Sequence, residues 1–441
     1  MATPEPFQPS STVADSKTES QPSVADDPLT GTAFHEGGFR AWATIAGSWL
    51  ALFSTFGYTN AFGVYQDYYT RIYLNNTTPS AVSWIGSFQL FVTLLMGFWV
   101  GKLFDKGYFH YLMIVGSTLF VFSLFMLSLA RPHRYYEAGH CIQALGMGLG
   151  LGMVLTPSVS IPSHYFRRRR ALAAGIALSG SSVGAIIHPI LLNNLFQKED
   201  VGFAGGTRAS AYMLLGCLLL ANLMMRTRVP PKIQHAAPLA DSAPAPSTVG
   251  SILRDPTYIL TIIGAFFCQI SIYFPVFYIQ LYSVSNGVDL RVAFYSVAIL
   301  NAGSVIGRIL PNFFADKFGA FNIIVPCAVF CAGLMFSMLG IRNTASMSVV
   351  ATLYGIASGA YLALIVALVA SLAKTPAEIG LRIGVAFSTN SFAALVGIPI
   401  AGALLTSELR WERAIIFSAV CVFIGAIFFA SARYAHIRRT Q

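Results

Sequence analysis

Charge is what this sequence has least of. Of its 441 residues only 10% are charged, while 55% are hydrophobic; an ordinary soluble domain carries about 25% charged residues. So few charges cannot clothe a water-facing surface, so most of the outer surface must meet lipid. Acid is scarcer than base, with 18 Asp and Glu against 28 Lys and Arg and a formal net charge of +10. On a soluble face that excess would suggest a polyanion. Here the basic residues gather at the ends of apolar runs, which points to membrane topology and away from a nucleic-acid partner.

Metal, redox and nucleotide motifs are also missing. The six cysteines (Cys141, Cys217, Cys268, Cys327, Cys331, Cys421) all fall inside apolar runs. Cys327 and Cys331 lie one helical turn apart with no accompanying His or second pair, so they read as packing residues. The glycine run Gly146, Gly148, Gly150, Gly152 lacks the Lys-Ser/Thr that would follow in a phosphate loop. Close helix packing is the stronger reading. No nucleophile–base pair stands out, so no enzyme, cofactor or metal is expected.

What is present is a series of long apolar runs. Residues 1–35 are rich in Ser, Thr, Pro and Asp without apolar periodicity, a disordered tail by composition. With no basic start and a late first apolar run, they do not read as a cleavable signal. Twelve runs follow, at 42–65, 81–104, 111–130, 136–161, 171–192, 210–225, 258–282, 292–314, 323–341, 347–372, 383–405 and 413–432. Each is near the roughly 20 residues that a membrane helix needs. They are continuous rather than alternating, which favours helices over barrel strands.

Placing both termini in the cytoplasm puts Lys102, Lys106, Arg167 to Arg170, Arg226, Arg228, Lys232, Arg254, Lys317, Lys374, Arg382, Arg433, Arg438 and Arg439 inside, the positive-inside arrangement. Asn75 and Asn76 then give overlapping glycosylation sequons in the first outside loop. The plasma membrane is the default location, since no retention or organelle signal is evident.

The chain also reads as a duplication. Gly97 and Gly101 precede Asp105-Lys106-Gly107, and Asn312 precedes Asp316-Lys317 and Gly319. The prolines of residues 229–256 mark a linker. The expected organisation is a tail at 1–35, a six-helix bundle at 36–228, the linker, a second six-helix bundle at 257–433 and a short cytoplasmic tail at 434–441. The fold class is an all-α membrane protein of twelve transmembrane helices in two pseudo-symmetric halves.

The stretch at 165–184, YFRRRRALAAGIALSGSSVG, organises the rest. Its arginine block is an orientation signal, with a nuclear-localisation or nucleic-acid patch as the bland alternative. Gly175, Ala177, Gly180, Ser181 and Gly184 allow close approach of a neighbouring helix. This stretch resembles the fifth helix of the monocarboxylate porters, a branch of the major facilitator superfamily. The EGGFRAW segment from Glu36 to Trp42 resembles that family's lead-in to helix one. The likeness runs along nearly the whole chain from Glu36, and fungal members are the nearest. It implies the major facilitator fold, with a substrate site between the halves near the midplane.

Arg308 is the unambiguous charge well inside an apolar run. At about 1.5 Å per residue from Val292 it lies past the midplane toward the cytoplasm. A buried arginine in lipid should face a cavity or an anionic partner, or else bond to carbonyls of a neighbouring helix. By resemblance it matches the arginine of helix eight that binds the substrate carboxylate in monocarboxylate porters. The family's acidic residue one turn earlier is replaced by Ser304, and its helix-one lysine by Phe62.

Tyr58, Asn60, Gln143, Gln269, Tyr273, Tyr278, Asn301, Tyr361 and Asn390 are candidates to line the cavity with Arg308, the alternative for each being a bond between helices. His188, before Pro189, is the candidate proton site, or a simply hydrogen-bonded histidine. Gly101, Asp105, Lys106, Asp316 and Lys317 form the superfamily's loop motif, with a gating role or that of a plain turn. Pro275 and Gly397-x-Pro399 are expected to break helices seven and eleven. The function expected is secondary transport of a small, acidic organic solute, tilted to efflux of a fungal secondary metabolite. Proton-coupled uptake of a monocarboxylate or vitamin-like solute and a non-transporting sensor are the alternatives. Expected partners are the solute, protons as a coupling ion and the bilayer, with biosynthetic enzymes of the same pathway connected only indirectly.

Overall fold

The computed structural model describes residues 36–69, 79–129, 139–228, 249–405 and 410–440. The tail before Glu36, the sequons at Asn75 and Asn76 and most of the linker lie outside the described residues. Among the described residues, eleven helices are long and apolar enough to cross a membrane. In chain order they are α2 (Trp84–Asp105), α3 (Phe109–Leu127), α4 (Gln143–His164), α5 (Arg170–Phe196), α6 (Gly202–Met224), α7 (Pro256–Ser285), α8 (Arg291–Phe318), α9 (Ala320–Gly340), α10 (Thr344–Ser371), α11 (Ile379–Leu405) and α12 (Trp411–Arg439).

The first span, α1, is divided into Phe39–Ser54, Phe56–Thr59 and Phe62–Tyr68. The break is chemical. Thr55 leaves the helical region (φ −97°, ψ −83°), and its hydroxyl bonds back to the Ala51 carbonyl at 2.7 Å. Such back-bonding by Ser and Thr bends helices. Gly57 then lies against Gly184 of α5, so closely that a Cβ would stand 2.8 Å from the Gly184 Cα.

Packing repeats with an offset of six helices. In the first half α1 packs on α5 and α6, and α4 packs on α2 and α3. In the second half α7 packs on α11 and α12, and α10 packs on α8 and α9. The halves join through α5 on α8 and α2 on α11, pairs that exchange under the same offset. Small residues make these crossings possible. A Cβ on Gly175 would collide with the Arg308 carbonyl, and one on Gly101 with the Gly380 carbonyl. The glycine run packs likewise: Gly150 faces the Phe120 backbone, while Gly148 and Gly152 face α2.

Two expected hinges turn out differently. Helix α7 is interrupted at Ile272 and Tyr273, just before Pro275, as the missing N–H of proline favours. Helix α11 runs unbroken through Pro399, so the Gly397-x-Pro399 break does not form. Gly397 instead packs against the Ile270 carbonyl of α7.

Candidate functional site

Between the halves lies a narrow cavity of about 60 Å³. Its polar lining is Gln269 and Tyr273 of α7, Arg308 of α8, Tyr361 of α10 and Asn390 of α11. Apolar walls come from Phe56, Leu94, Leu155 and Leu178 of the first half, among others, and from Ile365 and Phe387 of the second. The rings of Phe56 and Tyr273 meet across the halves at 6.4 Å.

Arg308 is buried, yet its partners are neutral. Nη1 donates to the Leu178 carbonyl of α5 at 2.7 Å and closely to Ser181 Oγ, and Nε donates to Ser304 Oγ at 3.3 Å. Ser182 Oγ in turn donates to Ser304 Oγ at 3.0 Å. A cluster of ion pairs lies elsewhere, around Arg382. A full positive charge therefore borders this cavity without an anion to balance it, a costly arrangement in a lipid-embedded interior. Asn390, which also lines the cavity, has a buried Oδ1 that lacks a hydrogen-bond partner.

Of the ten lining candidates, the structure brings together Arg308, Gln269, Tyr273, Tyr361 and Asn390. Tyr278 lines a second cavity of about 140 Å³ between the halves, with Thr59, Phe62, Gln66, Phe277 and Ile398. Phe62, which stands where the resemblance expects a lysine, thus faces this second space. Tyr58 packs in the first half, its hydroxyl 2.5 Å from that of Tyr65. Gln143 accepts from Tyr69 Oη at 2.7 Å. Asn60 and Asn301 each donate to the carbonyl one turn back, Phe56 and Val297, at 2.9 Å. His188 is fully buried between Phe53 and Tyr58 and away from the cavity lining. Its Nε2 sits 3.0 Å from the Phe53 carbonyl, which can only accept, so Nε2 carries the proton.

The loop motif shows reciprocal geometry. Asp105, at the end of α2, accepts from the Gly380 and Leu381 amides at 2.8 and 2.6 Å. Asp316, near the end of α8, accepts from the Ala171 and Leu172 amides at 2.8 and 2.9 Å. Each carboxylate thus satisfies the first N–H groups of a helix in the opposite half, where the helix dipole favours negative charge. Arg170 adds a bond from Nη1 to the Ala370 carbonyl at the end of α10. These contacts tie the halves together at the end carrying both loop motifs. Lys106 and Lys317 stay exposed, Lys317 over the Phe313 ring at 4.7 Å.

Two features were not anticipated. Glu36 accepts from the backbone amides of Arg167 and Arg168, and both glycines of the EGGFRAW segment take φ +88° to turn it there. Arg382, counted from sequence as a loop charge, is buried in α11 between carboxylates. Nη1 lies 3.5 Å from Asp255 Oδ2, and Nε lies 3.4 Å from Glu378 Oε1 without a directed hydrogen bond. Arg439 of α12 joins Asp255 at 3.2 Å. The i,i+4 spacing of Glu378 and Arg382 was the available signal.

Comparison with known proteins places this architecture. Residues 41–373 match the model of the Major Facilitator Superfamily. The chain is 35% identical over 412 residues to MFS-type transporter 1 of Ophiocordyceps sp. (strain BCC 1869), covering 92% of this chain and 88% of that protein. It is 36% identical over 394 residues to the aspyridones efflux protein apdF of Emericella nidulans, covering 89% and 78%. It is also 36% identical over 394 residues to the agnestins efflux protein AgnL12 of Paecilomyces divaricatus, covering 89% and 87%. Among solved structures, FucP in its outward conformation superposes with a TM-score of 0.66 at 16% identity, covering 89% of this chain and 98% of FucP. XylE bound to 6-bromo-6-deoxy-D-glucose superposes with a TM-score of 0.67 at 14% identity, covering 89% and 95%. The chain belongs to the Major Facilitator Superfamily, a family of non-enzymatic transporters.

Proposed function

We propose that this transporter exports a mildly acidic, amphipathic organic metabolite by alternating access, as a monocarboxylate-porter-like member of its superfamily. The observation that carries the reading is Arg308: a buried guanidinium bordering a largely apolar cavity, bonded only to neutral oxygens. A substrate carboxylate would supply the missing anion, and Gln269, Tyr273 and Asn390 would fix its polar groups while the apolar walls take its body. The efflux proteins of aspyridones and agnestins among its relatives support export of a secondary metabolite.

In this reading both termini are cytoplasmic and the protein sits in the plasma membrane. The Asp105 and Asp316 contacts then close the cytoplasmic side, and their release opens the cavity inward to load substrate. A cavity of about 60 Å³ is too small for such a metabolite, so the halves must part to admit it. Comparative metabolomics of cells and medium tests the proposal, using a deletion strain and that strain complemented with wild type or Arg308→Gln. An acid that accumulates inside and falls outside in the deletion and Arg308→Gln strains, and recovers with wild type, supports export. A solute that leaves the medium more slowly would instead establish uptake.

A further inference from the structure

At the end carrying the loop motifs, outside the central cavity, lies an open groove of about 880 Å³ bounded by Gly37 to Arg40, Tyr165 and Arg226 to Arg228. It is built rather than incidental. The Arg40 carbonyl accepts from Thr44 Oγ1 at 2.8 Å, and Thr44 Oγ1 accepts from the Arg226 amide at 3.4 Å, so one hydroxyl fixes the start of α1 against the end of α6. Tyr165 Oη donates to the Arg226 carbonyl at 2.9 Å, and the Arg228 guanidinium lies over the Tyr165 ring at 4.8 Å. Three guanidinium-bearing residues thus share one concave surface. The nearby acid, Glu36, is turned onto the amides of Arg167 and Arg168.

Below the groove the surface is greasy. Phe39 and Trp42 of α1 and Leu219, Leu220 and Leu223 of α6 are exposed side chains on the spans that meet there. A ligand suited to both parts carries a phosphate on an apolar tail. Basic residues just beyond a membrane span attract anionic headgroups at about 1 kcal/mol per residue.

We propose that this groove seats the phosphate of an anionic phospholipid headgroup against Arg40, Arg226 and Arg228, with the acyl chains lying along α1 and α6. A free phosphate would meet the same arginines but would gain nothing from the apolar faces below.

The test uses the purified full-length protein, with apparent affinity read from the rise of its unfolding midpoint on titration. The probes are phosphatidylinositol, phosphatidylcholine and inorganic phosphate. The expected result is a saturable rise with phosphatidylinositol and none with the other two. Arg40→Gln and Arg226→Gln should each weaken the response about fivefold, while Arg413→Gln at the opposite end leaves it unchanged. If a glutamine variant fails to fold, Arg40→Lys and Arg226→Lys replace it and should keep the response within about threefold, the positive charge being retained. The proposal is overturned by no response to phosphatidylinositol, an equal response to phosphatidylcholine or inorganic phosphate, indifference to both glutamine substitutions, or an equal loss in Arg413→Gln.

Discussion

Two arginines are buried in the second half, and their surroundings are opposite. Arg382, near the loop-motif end of α11, sits between Asp255 and Glu378, with Arg439 completing the cluster. Arg308, in α8, has serines and a carbonyl for partners and borders a cavity. Both pay the cost of leaving water, but only Arg382 is repaid within the chain. On the proposed reading the balanced charge holds the fold together, and the unbalanced one awaits a substrate anion.

The sharpest way to break the comparison is to remove each charge. Arg382→Gln takes the cation from between two buried carboxylates, leaving Asp255 with the half-exposed Arg439 alone, a loss of about 3–5 kcal/mol. It should deplete folded protein from the membrane, measurable by fluorescence-detected size exclusion and by unfolding midpoint. Arg308→Gln should leave the unfolding midpoint nearly unchanged while cutting export of the acid at least about tenfold, as expected when a charge-assisted bond worth about 1.5–3 kcal/mol is lost. If Arg308→Gln unfolds the protein as readily as Arg382→Gln, the two arginines play the same part and the distinction fails.

A smaller effect belongs to the caps. Asp105→Asn removes the charge facing the start of α11 and turns one acceptor into a donor, costing about 1–2 kcal/mol. Transport should fall about tenfold with protein still in the membrane, and a cysteine introduced on the closed side should label faster. Asp316→Asn should behave alike, because it caps α5 in the symmetry-related way. Unchanged transport in both would reduce the motif to a turn. The smallest effect is expected from Tyr58→Phe, which deletes the hydroxyl contact with Tyr65. It should cost about 1 kcal/mol of stability and leave substrate preference unaltered; a changed preference would extend the site into the first half.

Much of this was legible in the sequence. The spans follow from apolar runs, the caps from two Asp-Lys pairs in equivalent places, and Arg308 from being a charge where charge is costly. Less legible was whatever depends on a third dimension. Gln143 and Tyr58 satisfy the same polarity criterion as Gln269 and Tyr273, but facing is set by helix rotation, and they turn to Tyr69 and Tyr65. Arg382 looked like a loop charge because its carboxylates lie on a separate segment and a turn away. Helix α6 begins at Gly202 rather than near Ser210: Arg208, an exposed charge in its early turns, does not end it and donates to Ser128 Oγ at 3.1 Å. The break in α1 was missed because Thr55 is an ordinary residue until Gly57 meets Gly184.

The most direct test of the account compares the acid that accumulates in the deletion strain with its methyl ester, binding each to purified wild type and Arg308→Gln. The account predicts that wild type prefers the acid by about tenfold or more, the worth of one charge-assisted bond, and that Arg308→Gln binds both alike. An unchanged preference for the acid in Arg308→Gln would contradict it, because the anion would then be recognised elsewhere.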